Sequence, residues 1–393
     1  MFSRRQWIQL TAAGLAAGNL VPAALAAPAP PEPAKPPPPP ESLLDRCRAA
    51  LTIATRRADG DELIRIGEWC KREKARSDIY GNGDFIAGFE KRVATLLGQE
   101  SACFFPTGTM AQLAALRYYA DRSGVRAFAA HPSSHHILHE DDASLVLHGI
   151  RPVAVAPWGR PILGDDVRHL GEPVGMVSVE LPVRWTGRLQ TWEELEDLKR
   201  ACVERKVALH VDGARLWECQ PYYGKPLAEI CRGLDSVYVS FYKGIGAMNG
   251  AILAGPPALI EAAHLWRHRH GGNLFQFFPY VASAAMRLGP ALERMPRWVA
   301  KARTLAERIA RKPDVIVGTA PPPTSLFHIY ARGEPEEFMK RRDAVARDRG
   351  IWVVHGIGRA RIPGFVDIEL HLAEASDPLS DDEAASAALA VLG

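Results

Sequence analysis

The chain has 393 residues, 24% of them charged and 47% apolar, with a formal net charge of +3. That is the balance of an ordinary folded protein, long enough for one large domain and a smaller one. No Lys/Arg block suggests nucleic acid, and six cysteines (Cys47, Cys70, Cys103, Cys202, Cys219, Cys231) without a CxxC pair fit neither a zinc ribbon nor a disulfide framework.

At the N-terminus Arg4 and Arg5 stand side by side, and a charge-free stretch runs from Gln6 to Pro31. Within it lies Ala24-Leu25-Ala26, the small-x-small pattern a signal peptidase accepts. Residues 1–26 resemble a twin-arginine (Tat) export signal, so a bacterial periplasm is the expected location. A membrane-anchoring helix is the other reading, but Gly18, Asn19 and Pro22 interrupt the run, which is rich in Ala rather than Leu. Residues 27–40, nearly all proline and alanine, read as an extended tether outside the fold. Such a route exports folded proteins, often with a cofactor already loaded. A tightly held cofactor is therefore worth seeking.

Residues 41–74 read as helical, and Phe85, Phe89, Val93 and Leu96 give helical spacing over 84–97. "ACFFP" (102–106) is a short apolar strand, followed by "TGTMAQLAALRYYA", which opens a helix. Further short apolar runs follow: "RAFAA", "ASLVLHG", "RPVAVAP", "GMVSVEL", "VALHV", "SVYVSF" and "GAILAG". Helices such as "TWEELEDLKRACVERK" separate them. The pattern predicts an α/β fold whose mostly parallel sheet is covered on both faces. A helical zone over 257–311 precedes a smaller α/β unit containing "SLFHIYAR", "EEFMKRRDAVARDRG" and "GFVDIELHL". The expected division is a large domain over 41–290 and a small one over 291–393.

In open sheets of this kind, ligands sit beyond the carboxyl ends of the strands. Asp212, Lys243 and the turn Thr107-Gly108-Thr109 all fall at such ends. Lys243 closes an apolar strand and precedes Gly244 and Gly246, which let backbone pass close to a bulky ligand. A desolvated lysine there can condense with a carbonyl, whereas a snorkelling lysine is the plain alternative. Thr107-Gly108-Thr109 reads as a phosphate cup at a helix start or as a simple N-cap. Asp212, at the end of the apolar strand in "ALHVDGARLWE", needs a cationic partner unless it too is a cap. An aldehyde-binding lysine, a phosphate cup and a buried Asp together point to pyridoxal 5′-phosphate (PLP), whose protonated ring nitrogen would meet Asp212.

Over residues 80–288 the chain resembles the threonine aldolase / β-eliminating lyase group of fold-type I PLP enzymes. The matching pieces include "YGNGDFIAGFEKRVATLLGQESACFFPTGTMAQ", "SSHHILHE", "ALHVDGARLWE" and "DSVYVSFYKGIGAMNGAILAG". The resemblance implies that Lys243 holds the cofactor covalently and that Asp212 pairs with its ring nitrogen. Arg215 would hold the substrate carboxylate or the ring oxygen, and Thr107, Gly108 and Thr109 the phosphate. His135 would stack on the ring and serve in acid–base work. It also implies a homodimer or a tetramer of dimers acting on a small amino acid. The family's N-terminal DLRSDT segment has no copy here. Its ENT motif is Glu180-Leu181-Pro182, and its GGGMRQ arginine is Phe275.

His135 and His139, at i,i+4, would share a helix face, but without HExxH or a cysteine partner a metal role is the weaker reading. His136 and His139 read as polar surface or strand-edge residues. Arg359 and Arg361 are candidates for a second carboxylate clamp from the small domain. The expected reaction is cleavage of a β-hydroxy-α-amino acid, threonine-like or bulkier, to glycine and an aldehyde. β-Elimination on another amino acid and a non-catalytic exported binding protein are the competing readings.

Overall fold

A computed structural model of the chain describes residues 42–53 and 59–393. The expected export signal and tether lie outside the described residues. Past a two-residue strand β1 (Ala49–Ala50), seven strands form one sheet: β2 (Ser101–Phe105), β3 (Ala127–Ala130), β4 (Arg151–Ala154), β5 (Met176–Glu180), β6 (Ala208–Gly213), β7 (Ser236–Ser240) and β8 (Ala251–Gly255). Their order is β2-β8-β7-β6-β5-β3-β4. The five strands from β7 to β4 pair in parallel, and β8 runs antiparallel to both its neighbours. Every residue of β3, β5, β7 and β8 is buried, as a sheet covered by helices on both faces requires. The mostly parallel α/β architecture is as the sequence predicts.

"ASLVLHG" is not a strand. It forms a helix, Ala143–His148, closed by Gly149 in the left-handed conformation, whose N–H donates to Leu145 O at 2.8 Å. Ser144 and His148, four apart, face inward, while Leu145, Val146 and Leu147 are exposed. In so short an apolar run the period is ambiguous, and here the turn chemistry decides.

Beyond the sheet come β9 (Val315–Val317), β10 (Leu326–Arg332), β11 (Ile351–Trp352), β12 (Ile357–Arg359) and β13 (Phe365–His371). Four of these form an antiparallel sheet in the order β12-β13-β10-β9, over a second apolar core that includes Phe327, Phe338, Ile351 and Leu370. β11 instead pairs in parallel with β1, so residues 49–50 join the C-terminal part rather than the large sheet. The expected boundary at 290 falls inside one helix, Phe278–Ile309.

That helix is anchored by an ion pair. Arg287 Nη2 donates to both oxygens of Glu62, at 2.5 and 2.6 Å, and Nη1 to Glu374 at 3.2 Å. Glu62 and Arg287 are both buried, on the helix Asp59–Glu73 and the long helix respectively. Removing one partner leaves the other charge uncompensated. Arg287→Ala is therefore expected to lose about 3–5 kcal/mol of stability, read as a lower urea midpoint.

Candidate active site

The carboxyl ends of β5, β6 and β7 meet at one pocket. It is lined by Ser133, His135, His139, Glu180, Pro182, Arg184, Trp185, Asp212, Ala214, Arg215 and Lys243. Lys243 sits three residues past β7 on a turn that packs against Glu218. A Cβ at position 244 would lie 2.7 Å from Glu218 Oε1, so the turn needs glycine there. Glu218 is wholly buried and accepts from Ser325 Oγ (3.1 Å) and His371 Nε2 (2.8 Å), which pins the lysine turn to the C-terminal sheet. Burial, and then the positive charge of Arg215, bring the Lys243 amine down from 10.5 to about 8, against the opposing pull of Asp212 and Glu180. An amine so placed is partly neutral near physiological pH and nucleophilic.

Asp212, next to last in β6, is almost fully buried. Its Oδ2 accepts from Gln112 Nε2 at 2.6 Å and its Oδ1 from the Ala214 N–H at 3.1 Å. Gln112 lies one helical turn along from Gly108 on the helix Gly108–Ser123. The start of that helix thus stands about one turn from Asp212. A Cβ at Gly108 would lie 2.1 Å from Tyr238 Oη, so this helix start approaches β7 only because residue 108 is glycine. Thr107 is exposed, and its Oγ1 accepts from the Met110 N–H at 3.3 Å; Thr109 is half-buried. Thr107, Gly108 and Thr109 are not among the residues lining the Lys243 pocket.

Arg215 lines the pocket and is buried, yet among the described residues its Nε has no hydrogen-bond partner. Buried donors are normally satisfied, so this one is built for an acceptor brought by a ligand. An amine of lowered basicity, an acceptor carboxylate, a guanidinium nitrogen without a partner among the described residues and a glycine-led helix start one turn away fit PLP and an amino acid bound to it.

His135 also lines the pocket: its Nδ1 is 3.0 Å from Glu140 Oε1, and its backbone N–H donates to Glu180 Oε1 at 3.0 Å. Burial raises Glu140, but His136 and His135 outweigh it and hold its carboxyl at about 2. Glu140 is thus an anion that orients His135, leaving Nε2 for a proton from a ligand. Glu180 behaves oppositely: burial first, and then the Asp212 charge, push it up to about 7. Its Oε2 has no partner among the described residues.

His136 is not a surface residue, whereas His139 is exposed as expected, at the rim of the pocket. His136 is buried, with Nδ1 3.2 Å from Glu140 Oε2 and Nε2 3.3 Å from Ser178 Oγ. His139 lines the pocket and stacks on Trp185, whose Nε1 donates to it at 3.2 Å. Arg361 stands elsewhere. Its guanidinium lies 3.4 Å from the centroid of the Trp158 ring in a neighbouring cavity of about 400 Å³, and Arg359 pairs with Glu334. The pocket's second arginine is Arg184, held by Glu369 at 3.0 Å. Sequence reasoning missed Arg184, Gln112 and Trp185. Arg184 and Trp185 follow the Glu180-Leu181-Pro182 segment one residue on, which was the available signal.

Residues 74–328 match the beta-eliminating lyase family. The low specificity L-threonine aldolase of Escherichia coli K12 is 29% identical over 242 residues, 59% of this chain and 71% of that one. Among solved structures, a candidate aromatic amino acid beta-eliminating lyase/threonine aldolase from Exiguobacterium is similar with a TM-score of 0.83 and 33% identity, over 89% of this chain and 98% of that one. A candidate L-allo-threonine aldolase from Listeria monocytogenes gives 0.81 and 35%, over 89% and 97%. With the lysine, the carboxylate and the unpaired arginine already converging on one pocket, the match places the chain in the beta-eliminating lyase family, as a PLP-dependent carbon–carbon lyase.

Proposed function

We infer that this chain cleaves the Cα–Cβ bond of β-hydroxy-α-amino acids, threonine or bulkier, giving glycine and an aldehyde. The observation that carries this reading is the placement of His135, oriented by an ionised Glu140, in one pocket with Lys243 and Asp212. β-Hydroxyl deprotonation needs such a base.

Arg215, assisted by Arg184, would bind the substrate carboxylate and so orient the Cα–Cβ bond for cleavage. His135 takes the β-hydroxyl proton at Nε2. As the Cα–Cβ bond breaks, the β-carbon leaves as an aldehyde and its bonding pair stays on Cα. PLP, when bound, is the electron sink for that pair. The proton taken by His135 Nε2 returns to Cα and completes glycine, and Asp212 would hold the ring nitrogen of the cofactor. Most of the protein's contribution is positioning and fixed charge.

Arg215→Leu is expected to raise KM about 10- to 100-fold, the loss of a charge-assisted hydrogen bond, with a smaller fall in kcat. Steady-state kinetics check this; an unchanged KM would remove Arg215 from the carboxylate site. An amino-acid panel read for aldehyde and for pyruvate tests the reaction itself.

We also propose export to the periplasm through the Tat route, supported by Arg4-Arg5 and the charge-free stretch to Pro31. Cell fractionation of the Arg4→Lys/Arg5→Lys variant checks it; unchanged delivery would contradict the route. Among the described residues no helix is long and apolar enough to cross a membrane. The working unit is proposed to be a homodimer or a tetramer of dimers, supported by family membership. A monomer mass in light scattering would contradict it.

A further inference from the structure

Behind Asp212 runs a line of polar groups through an otherwise apolar helix–sheet contact. Gln112 and Tyr119 lie seven apart on one face of the helix Gly108–Ser123, among Ala111, Ala114, Ala115 and Leu116. Asp212 and His210 lie two apart on β6, on one face of the sheet, and Ser236 of β7 is the register partner of His210. The contacts are continuous. Tyr119 Oη is 3.0 Å from Ser236 Oγ, which is 2.7 Å from His210 Nδ1. His210 Nε2 is 2.5 Å from Gln112 Oε1, and Gln112 Nε2 is 2.6 Å from Asp212 Oδ2. His210 and Ser236 are wholly buried, and Gln112 and Tyr119 nearly so.

The direction of every bond follows from its end. An ionised carboxylate only accepts, so the Gln112 amide must donate through Nε2 and present Oε1 to His210. His210 then carries its proton on Nε2, and its bare Nδ1 accepts from the Ser236 hydroxyl. Ser236 in turn accepts from the Tyr119 phenol. Burial holds His210 down at about 3, so it stays neutral with a single proton. Burial also raises the Tyr119 phenol, which remains a donor. Four consecutive donors thus point at one carboxylate.

We propose that Gln112 and His210 are positioning residues, a one-way hydrogen-bond chain anchored at Tyr119 that presents a donor to Asp212 and fixes its carboxylate toward the ring nitrogen of PLP. The proposal rests on the PLP reading of the pocket and adds residues that never touch the cofactor. Burying five polar groups in an apolar contact costs free energy unless all are satisfied, and here each satisfies the next.

The test uses the full-length holoenzyme and a double-mutant cycle. Gln112→Glu keeps the shape of the side chain but replaces the donor with an acceptor, and Gln112→Leu removes the donor without adding charge. Each is expected to weaken PLP binding, followed by the visible absorbance of the lysine-bound cofactor, about 10- to 100-fold, and to lower kcat with little change in substrate KM. In an Asp212→Asn background, Gln112→Glu should cost no more than about threefold further, because its route to the ring is already cut. His210→Gln, which keeps a donor aimed at Gln112, should stay within about threefold of wild type, while His210→Phe should behave like Gln112→Leu. Full losses that persist beside Asp212→Asn, or variants with wild-type PLP affinity and spectrum, would overturn the proposal. A wild-type protein that takes up no PLP would overturn the cofactor reading itself. That outcome is distinct from the others because it needs no variant.

Discussion

Lys243→Ala is expected to abolish turnover, by on the order of 10⁴-fold or more, while the protein stays folded and binds PLP only reversibly. The substitution removes the one amine in the pocket and leaves the Gly244 turn on Glu218 untouched. Folding should even improve. The folded-state value of Lys243, about 8, lies below its ordinary 10.5. Between these values the unfolded chain holds a proton that the folded chain does not, so stability rises with pH across that window. Below about pH 8 the full penalty applies to the wild type without PLP. The alanine variant should therefore melt higher than PLP-free wild type at pH 7, with an advantage that shrinks from about pH 8 to 10.5. Thermal melts at several pH values, run with PLP removed, check this. Equal melting temperatures at pH 7 would show that Lys243 is not desolvated.

Asp212→Asn should lower kcat by about 10²- to 10³-fold, the usual cost of removing one preorganised electrostatic contact, and weaken PLP binding. Asparagine is isosteric and its Oδ1 can still accept from the Ala214 N–H, so the fold should survive, although its Nδ2 can meet Gln112 only if the Gln112 amide reverses. The negative charge goes, and with it the group that keeps the ring nitrogen protonated. Because the Asp212 charge is part of what raises Glu180, the same substitution should also move Glu180 down from about 7. Full activity in Asp212→Asn would show that the carboxylate is a structural cap.

The sheet and the ends of its strands were legible in the sequence because buried parallel strands read as unbroken apolar runs. Asp212 and Lys243 stood out as charges closing such runs. "ASLVLHG" was misread because seven residues do not separate the two periods, and its capping by Gly149 is a backbone property. Gln112 was unreadable for another reason. It looks like any helical glutamine until folding brings it to a carboxylate 100 residues away. Arg184 likewise gains its meaning from Glu369 on β13, 185 residues on. Arg361 looked like a clamp because it lies in the C-terminal unit, but its cation rests on the Trp158 ring. The expected boundary at 290 lies inside a zone already read as helical, and there a single helix, Phe278–Ile309, runs through it.

The most direct test of the account is product analysis of the purified, PLP-loaded protein given threonine and bulkier β-hydroxy-α-amino acids. The account predicts glycine and the matching aldehyde in equal amounts, with no product from Lys243→Ala. Pyruvate and ammonia without aldehyde would contradict it and establish β-elimination instead.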